Sequence, residues 1–101
     1  MRSAPARGVV RLLNTAGGRV LCLAGEIDAA TVASHVRRYG REPMPVDGID
    51  AGSVTGLSMP ALELVLDHLD AAARAGRDVR VRRSPAIEQL LADAAHPRTG
   101  A

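Results

Sequence analysis

The sequence predicts a small single α/β domain, with a mixed β-sheet of about four strands flanked by helices. Segments with strand patterns alternate with segments with helix patterns, in the order β-β-α-β-α-β-α, which is typical of a sheet covered by helices. The length of 101 residues suits one domain. Because the chain contains one Tyr and no Phe or Trp, the core must be filled by Leu, Val, Ile and Ala.

The first two strands are expected to pair as a hairpin. Residues 9–13 form the first strand, and residues 14–18 form a turn in which Gly17 and Gly18 supply positive φ angles. Residues 20–24 are an uninterrupted apolar run, as in a strand that is buried on both faces. We therefore expect this second strand in the centre of the sheet.

The first helix is predicted over residues 29–39. Asp28 precedes it as a side chain that can cap the helix, and Gly40 follows it as a residue that ends it. Residues 41–45 then form an extended link to the third strand, which is predicted over residues 46–50. The thin apolar stripe of this helix consists of Val32, Val36 and Tyr39.

The third strand leads into the central helix through residues 52–58, whose small and hydroxyl-bearing side chains predict a loop. The helix starts at Met59 and is ended by Gly76, and Asp70 forms a favourable pair with Arg74 on its outer side. Backbone N–H groups at the helix start point outward, so this end suits an anion or a partner's carboxylate. The predicted buried face consists of Met59, Leu62, Val65, Leu66, Leu69 and Ala73.

The chain closes with a strand and a short helix. Residues 78–83 alternate apolar and charged side chains, which predicts a strand with one solvated face near an edge of the sheet. Its arginines are interpreted as part of that solvated edge. Ser84 and Pro85 are expected to begin the last helix as its cap and its first residue. The buried face of this helix is predicted to consist of Ile87, Leu90, Leu91 and Ala94.

Charge and composition argue against several classes of function. Thirteen basic and 11 acidic residues give a net charge of +2, and no basic run is interleaved with aromatic residues, so we expect no nucleic-acid binding. No apolar run approaches the length of a membrane span, so we expect no direct membrane insertion. The single cysteine excludes an internal disulfide, and the start of the chain lacks a signal-peptide pattern, so cytoplasmic location is expected.

The domain is expected to span residues 8–96, after a disordered N-terminus over residues 1–7 and before a flexible tail over residues 97–101. Scattered histidines, with Cys22 in a buried strand, show no ligand spacing, so we expect no metal and no other cofactor. Neither a catalytic triad nor a paired-carboxylate site can be argued from residue order, and the glycines near residue 52 form no phosphate-binding fingerprint. We therefore expect a protein that is not an enzyme.

Three local motifs resemble the STAS domain of anti-sigma factor antagonists. Residues 21–31 read LCLAGEIDAAT and are similar to the family pattern L-x-G-E-[LI]-D-x-x-T. Residues 83–91 read RSPAIEQLL and are similar to P-S-P-A-V-x-x-L-L. Residues 49–62 are similar to the segment that carries the family's phosphorylated serine. Together the resemblance covers roughly residues 8–95 and implies a STAS-like fold.

The third of these similarities departs from the family at the phosphorylated position. By its spacing from the end of the third strand, Ser58 takes the place of the family's Asp, and Met59 takes the place of its phosphoserine. Pro60 replaces the next serine, and Ala61 replaces the following glycine. Because Met59 cannot accept phosphate, the resemblance implies a docking surface without the usual serine switch.

The resemblance implies a protein-binding role, in which the chain sequesters a kinase-type anti-sigma factor and so releases a sigma factor. The residues implied in partner binding are Asp28, Thr55, Ser58, Met59 and Pro60. Four of them have a simpler reading: Asp28 as a helix cap, Thr55 and Ser58 as turn and cap residues, and Met59 as the top of the buried helix face. Ser58 is the best-placed substitute phosphoacceptor, ahead of Ser53 and Thr55. The alternative functions are an accessory subunit of a membrane transport system and a scaffold that is not phosphorylated.

Overall fold

The computed structural model describes residues 8–95 and shows a small α/β domain with the predicted order of elements. The elements are β1 (Val9–Thr15), β2 (Gly18–Ile27), α1 (Ala29–Tyr39), β3 (Gly48–Leu57), α2 (Met59–Arg74), β4 (Arg80–Arg83) and α3 (Pro85–Ala95). The N-terminus and the tail that were expected to lack order lie outside the described residues, as does His96. No helix within residues 8–95 is long and apolar enough to cross a membrane.

The four strands form one mixed sheet in the order β1-β2-β3-β4. The first pair is antiparallel, whereas β2, β3 and β4 run parallel to one another. The predicted four-stranded mixed sheet, the central position of β2 and the edge position of β4 are therefore confirmed. Only β1 and β4 present an unpaired edge within the described part of the chain.

The β1–β2 turn is shorter than the sequence suggested. β1 continues to Thr15 and β2 begins at Gly18, so residues 16 and 17 alone connect the strands. The Thr15 hydroxyl donates to the Gly18 carbonyl at 2.8 Å and accepts from the Gly17 N–H at 3.2 Å. Of the two glycines, Gly18 has a positive φ (119°) and Gly17 does not, so the prediction was right for Gly18 alone.

The predicted loop over residues 52–58 is wrong, because β3 continues as a strand to Leu57. This segment pairs with the second half of β2, with Ser53 opposite Ala24 and Leu57 opposite Ile27. Val54, in the middle of the segment, is 2% exposed. Pairing with β2 and burial of Val54 therefore outweigh the weak strand propensity of the surrounding Gly, Ser and Thr residues.

One face of the sheet carries the core, and the helices cover it. Leu21 and Leu23 of β2 alternate with outward-facing neighbours and pack against Ile49 and Ala51 of β3. The helices contribute Val32, Ala61, Val65 and Ile87. Aliphatic side chains thus fill the interior, as the composition predicted.

The helix boundaries agree with the local signals. The Ser84 hydroxyl accepts the Ile87 N–H at 3.2 Å, which confirms the predicted cap of α3. At the end of α2, the Arg77 N–H donates to the Ala72 carbonyl at 2.8 Å, across Gly76 with a φ of 72°. This is the Schellman arrangement, in which glycine takes the left-handed conformation after the helix. The predicted Asp70–Arg74 pair is also present, at 3.0 Å.

The predicted buried face of α2 is wrong at three positions, one of which is the exposed Ala73. Leu66 is 47% exposed and Met59 is 68% exposed. The face that packs on the sheet consists instead of Ala61, Leu64, Val65, His68 and Ala72. This set follows the helical repeat, and His68 takes an interior position because both of its ring nitrogens find hydrogen-bond partners.

Candidate partner-binding surface

Two helices begin side by side at one end of the sheet. The parallel strands β2 and β3 end at Ile27 and Leu57, which lie opposite each other. Asp28 then caps α1, and Ser58 caps α2. The Ser58 N–H donates to the Ile27 carbonyl at 2.9 Å, which ties the start of α2 to the end of β2. The structure therefore brings Asp28 and Ser58, which are far apart in sequence, to the same end of the sheet, where β2 and β3 finish.

The two caps use different side-chain chemistry. Asp28 Oδ1 accepts the Thr31 N–H at 2.8 Å and the Thr31 hydroxyl at 2.7 Å. Ser58 Oγ accepts the Ala61 N–H at 3.3 Å. The predicted capping roles of both residues are confirmed, because each side chain satisfies an N–H group that the helix leaves without a partner.

Met59 and Pro60 form the exposed first turn of α2. Proline is tolerated there, because its missing N–H would have no partner inside the helix. Met59 is followed on the same side of the helix by Leu62, which is partly buried, and by the exposed Leu66. We call Met59, Leu62 and Leu66 the α2 stripe. The interpretation of Met59 as the top of the buried face is therefore wrong.

Acidic residues lie along one side of the α2 stripe. Glu63 and Asp67 are both exposed and lie next to Leu62 and Leu66 along the helix. An apolar strip bordered by carboxylates is suited to a partner with an apolar contact and basic residues around it.

Thr55 and Ser53 are not part of this helix start. Both lie in β3 with exposed side chains, so the interpretation of Thr55 as a turn residue is wrong. Thr55 stands three residues before Ser58 on a strand, whereas Ser58, Met59 and Pro60 are consecutive at the helix start. Of the five predicted site residues, the structure therefore groups Asp28, Ser58, Met59 and Pro60 most directly.

Two buried histidines lie between α1 and α2, the helices that begin at this end of the sheet, and their roles were not predicted from the sequence. His68 is 2% exposed, its Nδ1 donates to the Leu64 carbonyl at 2.8 Å, and its Nε2 accepts the Met44 N–H at 3.2 Å. These two bonds fix the neutral ring with the proton on Nδ1. The position of His68 within the repeat that contains Ala61, Leu64 and Ala72 was the available signal.

His35 faces His68 from α1, with ring centroids 6.4 Å apart. It is 4% exposed and stacks at a tilt on Tyr39, with ring centroids 4.8 Å apart. Its Nδ1 has no hydrogen-bond partner. Burial lowers the pKa of His35 below its ordinary value, and the nearby His68 lowers this pKa further. The neutral ring is therefore the form that the interface between α1 and α2 accommodates.

The remaining ionisable side chains do not assemble a metal centre within residues 8–95, where no three His, Cys, Asp or Glu residues are grouped to hold an ion. The chain matches no protein-family model, and comparison with characterised proteins gives no significant match. The STAS resemblance thus rests on its three motifs, at residues 21–31, 49–62 and 83–91.

Proposed function

We propose that this chain is a protein-binding regulatory domain, an anti-sigma factor antagonist that docks a kinase-type anti-sigma factor on the start of α2. The observation that carries the proposal is the 68% exposure of Met59 at the first position of that helix. An apolar side chain this exposed gains most when a partner covers it. The STAS resemblance assigns the same position to the family's regulatory residue.

The chemistry of Met59 favours docking without a phosphate switch. A phosphoserine adds about −1.5 to −2 charges at this place, which changes what a partner meets there. A thioether has no group that can be phosphorylated and gives a flexible apolar contact. In this proposal the α2 stripe stays competent to bind whenever the partner is present, and its control lies in the amounts of the two proteins.

The test is the substitution Met59→Asp, measured by calorimetric titration against each kinase-type anti-sigma factor of the source genome. We expect it to weaken binding by about 1–3 kcal/mol, the cost of a polar group buried without a partner. The matched control is Ala33→Asp, which adds the same charge at an exposed position of α1 and should bind as the parent does. Equal binding by Met59→Asp and the parent would show that the start of α2 is not the docking site.

The same assay separates the alternative functions. Binding to a transporter ATPase and not to an anti-sigma factor would favour the accessory-subunit role. Binding to an anti-sigma factor without release of its sigma factor would favour a scaffold. Release of the sigma factor by the parent, and its loss in Met59→Asp, is the outcome that the antagonist proposal requires.

A further inference from the structure

The sheet has a second face, which no helix covers within residues 8–95. Its side chains alternate with those of the core, so β1 presents Val9, Arg11 and Leu13 there. Val9 is 40% exposed and Leu13 is 41% exposed, although both side chains are large and apolar. We call this surface the open face. Its other members used below are Val20, Cys22, Asp50, Arg80 and Arg82.

The register of the strands sets the layout of the open face. Arg11 lies opposite Cys22, Cys22 opposite Asp50, and Asp50 opposite Arg82, so these four residues form one row across the sheet. The outer members, on β1 and β4, are three strand spacings apart, or about 14 Å. Arginines therefore stand at both margins, with smaller side chains between them.

The middle of the open face is recessed. One shallow depression of about 310 Å³ lies along Leu13 and Cys22. A second, of about 330 Å³, lies along Val20 and Gly48 and is bordered by Arg80. Both depressions are lined mainly by apolar surface, and the second is also lined by Asp47 and Asp50. We call the two depressions together the recess.

The exposed Glu26 alternates with Ile27 and so also belongs to the open face, where three guanidinium groups stand against two carboxylates, those of Glu26 and Asp50. Arg82 is the partner of Asp50, at 3.8 Å. Arg11 and Arg80 make no salt bridge with any residue in the range 8–95. The apolar recess is thus bordered on each side by an arginine without a salt bridge, since the nearby Asp47 pairs with Arg77, and the surface complementary to these two arginines is acidic.

This chain could itself supply two occupants of the open face, and neither of them presents the acidic surface that the arginines require. A second copy that docked through the same face would set arginines against arginines, which is unfavourable. Residues 1–7 and 96–101 contain Arg and His but no Asp or Glu, so they repeat the charge of the face. The occupant with the right chemistry is therefore a different, acidic protein segment.

The dimensions favour a helix as that segment. A helix with its side chains is about 10–12 Å across, which fits between margins about 14 Å apart. A single-stranded nucleic acid is held largely by aromatic side chains that stack on its bases, and the open face has none. A flat lipid surface would contact the arginines at the two margins and leave the apolar recess between them uncovered.

We propose that the open face is a second docking surface, which takes an acidic amphipathic helix of a partner protein along the strands. Its apolar side chains cover Leu13, Val20 and Cys22, and its carboxylates pair with Arg11 on one margin and Arg80 on the other. This proposal is independent of the proposed function, because the α2 stripe lies on a helix that packs on the opposite face of the sheet.

The test uses two acetylated 18-residue helical peptides that share one leucine stripe, with Glu at the flanking positions of one and Lys at those of the other. Backbone amide shifts of the ¹⁵N-labelled chain report where each binds. We expect the Glu peptide to shift amides of β1, β2 and β4 and to slow alkylation of Cys22, the single cysteine. We expect the Lys peptide to do neither.

The charge pairing is tested by Arg11→Glu combined with Arg80→Glu, which spares the Asp50–Arg82 pair. We expect the dissociation constant of the Glu peptide to rise at least about tenfold. Arg37→Glu combined with Arg41→Glu makes the same change of charge on exposed residues away from the sheet and should have little effect. If the reversed variant does not fold, glutamine at both positions replaces it, with a smaller rise expected.

Three results would overturn the proposal. Both peptides could bind equally, the amide shifts could be confined to α2, or the Arg11/Arg80 variant and the Arg37/Arg41 control could lose the same affinity for the Glu peptide. Self-association that depends on the open-face arginines would assign the surface to a second copy. Stronger binding to anionic vesicles or to single-stranded DNA than to the Glu peptide would assign it to those ligands. Met59→Asp should bind the Glu peptide as the parent does, so failure here and failure of the α2 site are distinguishable.

Discussion

Leu64 and Leu66 lie two positions apart in α2 and have opposite surroundings. Leu64 is 9% exposed against the core, whereas Leu66 is 47% exposed. We expect Leu64→Ala to lower the free energy of unfolding by about 2–5 kcal/mol, because it removes buried methyl groups and leaves a cavity. Leu66→Ala should change it by no more than about 0.5 kcal/mol. Urea denaturation of both variants measures the difference.

The two variants control for each other, since both replace Leu by Ala within one helix and change its propensity equally. A cost for Leu66→Ala as large as that for Leu64→Ala would mean that α2 packs through a different face. If only Leu64→Ala lowers the free energy of unfolding, Leu66 is not needed for stability and is available for contact with a partner.

Ser58 combines two roles that a phosphorylation experiment has to separate. Its hydroxyl oxygen caps α2, so Ser58→Ala should cost about 0.5–2 kcal/mol whether or not phosphate is ever attached. Ser58→Asn keeps a capping side chain and removes the phosphoacceptor. We expect the chain, incubated with the kinase-type partner proposed above and ATP, to carry no phosphate on Ser53, Thr55 or Ser58 by mass spectrometry.

The positive control is Met59→Ser, which restores an acceptor at the position of the family's phosphoserine and should gain phosphate if the kinase docks at the α2 start. Phosphate on Ser58 of the parent, lost in Ser58→Asn and accompanied by weaker binding, would contradict the switch-free proposal. The helix end would then favour the added anion by roughly 0.3–1 kcal/mol.

At the scale of elements, the contact between α1 and α2 depends on a histidine that stays neutral. The pKa of His35 is lowered in the folded chain. As the pH falls below about 6.5, His35 is therefore protonated more readily in the unfolded chain than in the folded chain. The free energy of unfolding should therefore decrease between pH 7.5 and pH 5.5. Denaturant midpoints at the two pH values measure this change.

The matched variant is His35→Leu, which keeps a buried side chain of similar size and removes the titrating ring. We expect the loss of stability on acidification to be smaller in His35→Leu than in the parent. An equal loss in both would assign the pH dependence to groups other than His35.

The elements themselves could be predicted from sequence wherever a local signal determines them. Asp28, Ser84 and Gly76 act on the chain within a few residues, and the helix ends they predicted agree with the structure. The strand through residues 52–57 has no such signal, because it exists through pairing with β2. The buried position of His68 likewise depends on the N–H of Met44, outside the helix.

At the scale of the whole molecule, the candidate site was predicted in part. Sequence placed Ser58, Met59 and Pro60 at a helix start, and the structure agrees. That Asp28 lies at the same end of the sheet follows from the parallel pairing of β2 and β3, which residue order alone does not specify. The open face was missed for a similar reason, because the positions of Arg11 and Arg80 on opposite margins of one face follow only from the register of four strands.

The same sheet order predicts how stability is distributed over the molecule. β2 and β3 are each paired on both sides, and their side chains form the centre of the core, whereas β4 has four residues and one neighbour. In native-state hydrogen exchange, we therefore expect the protected amides of β2 and β3 to open only with global unfolding, and those of β4 to open locally at lower free energy. The variant Leu64→Ala separates the two kinds of opening, since it lowers the global free energy of unfolding without touching β4. It should reduce the opening free energies in β2 and β3 by the full value measured in urea and leave those in β4 nearly unchanged. An equal reduction in all the strands would show instead that the sheet opens as one unit.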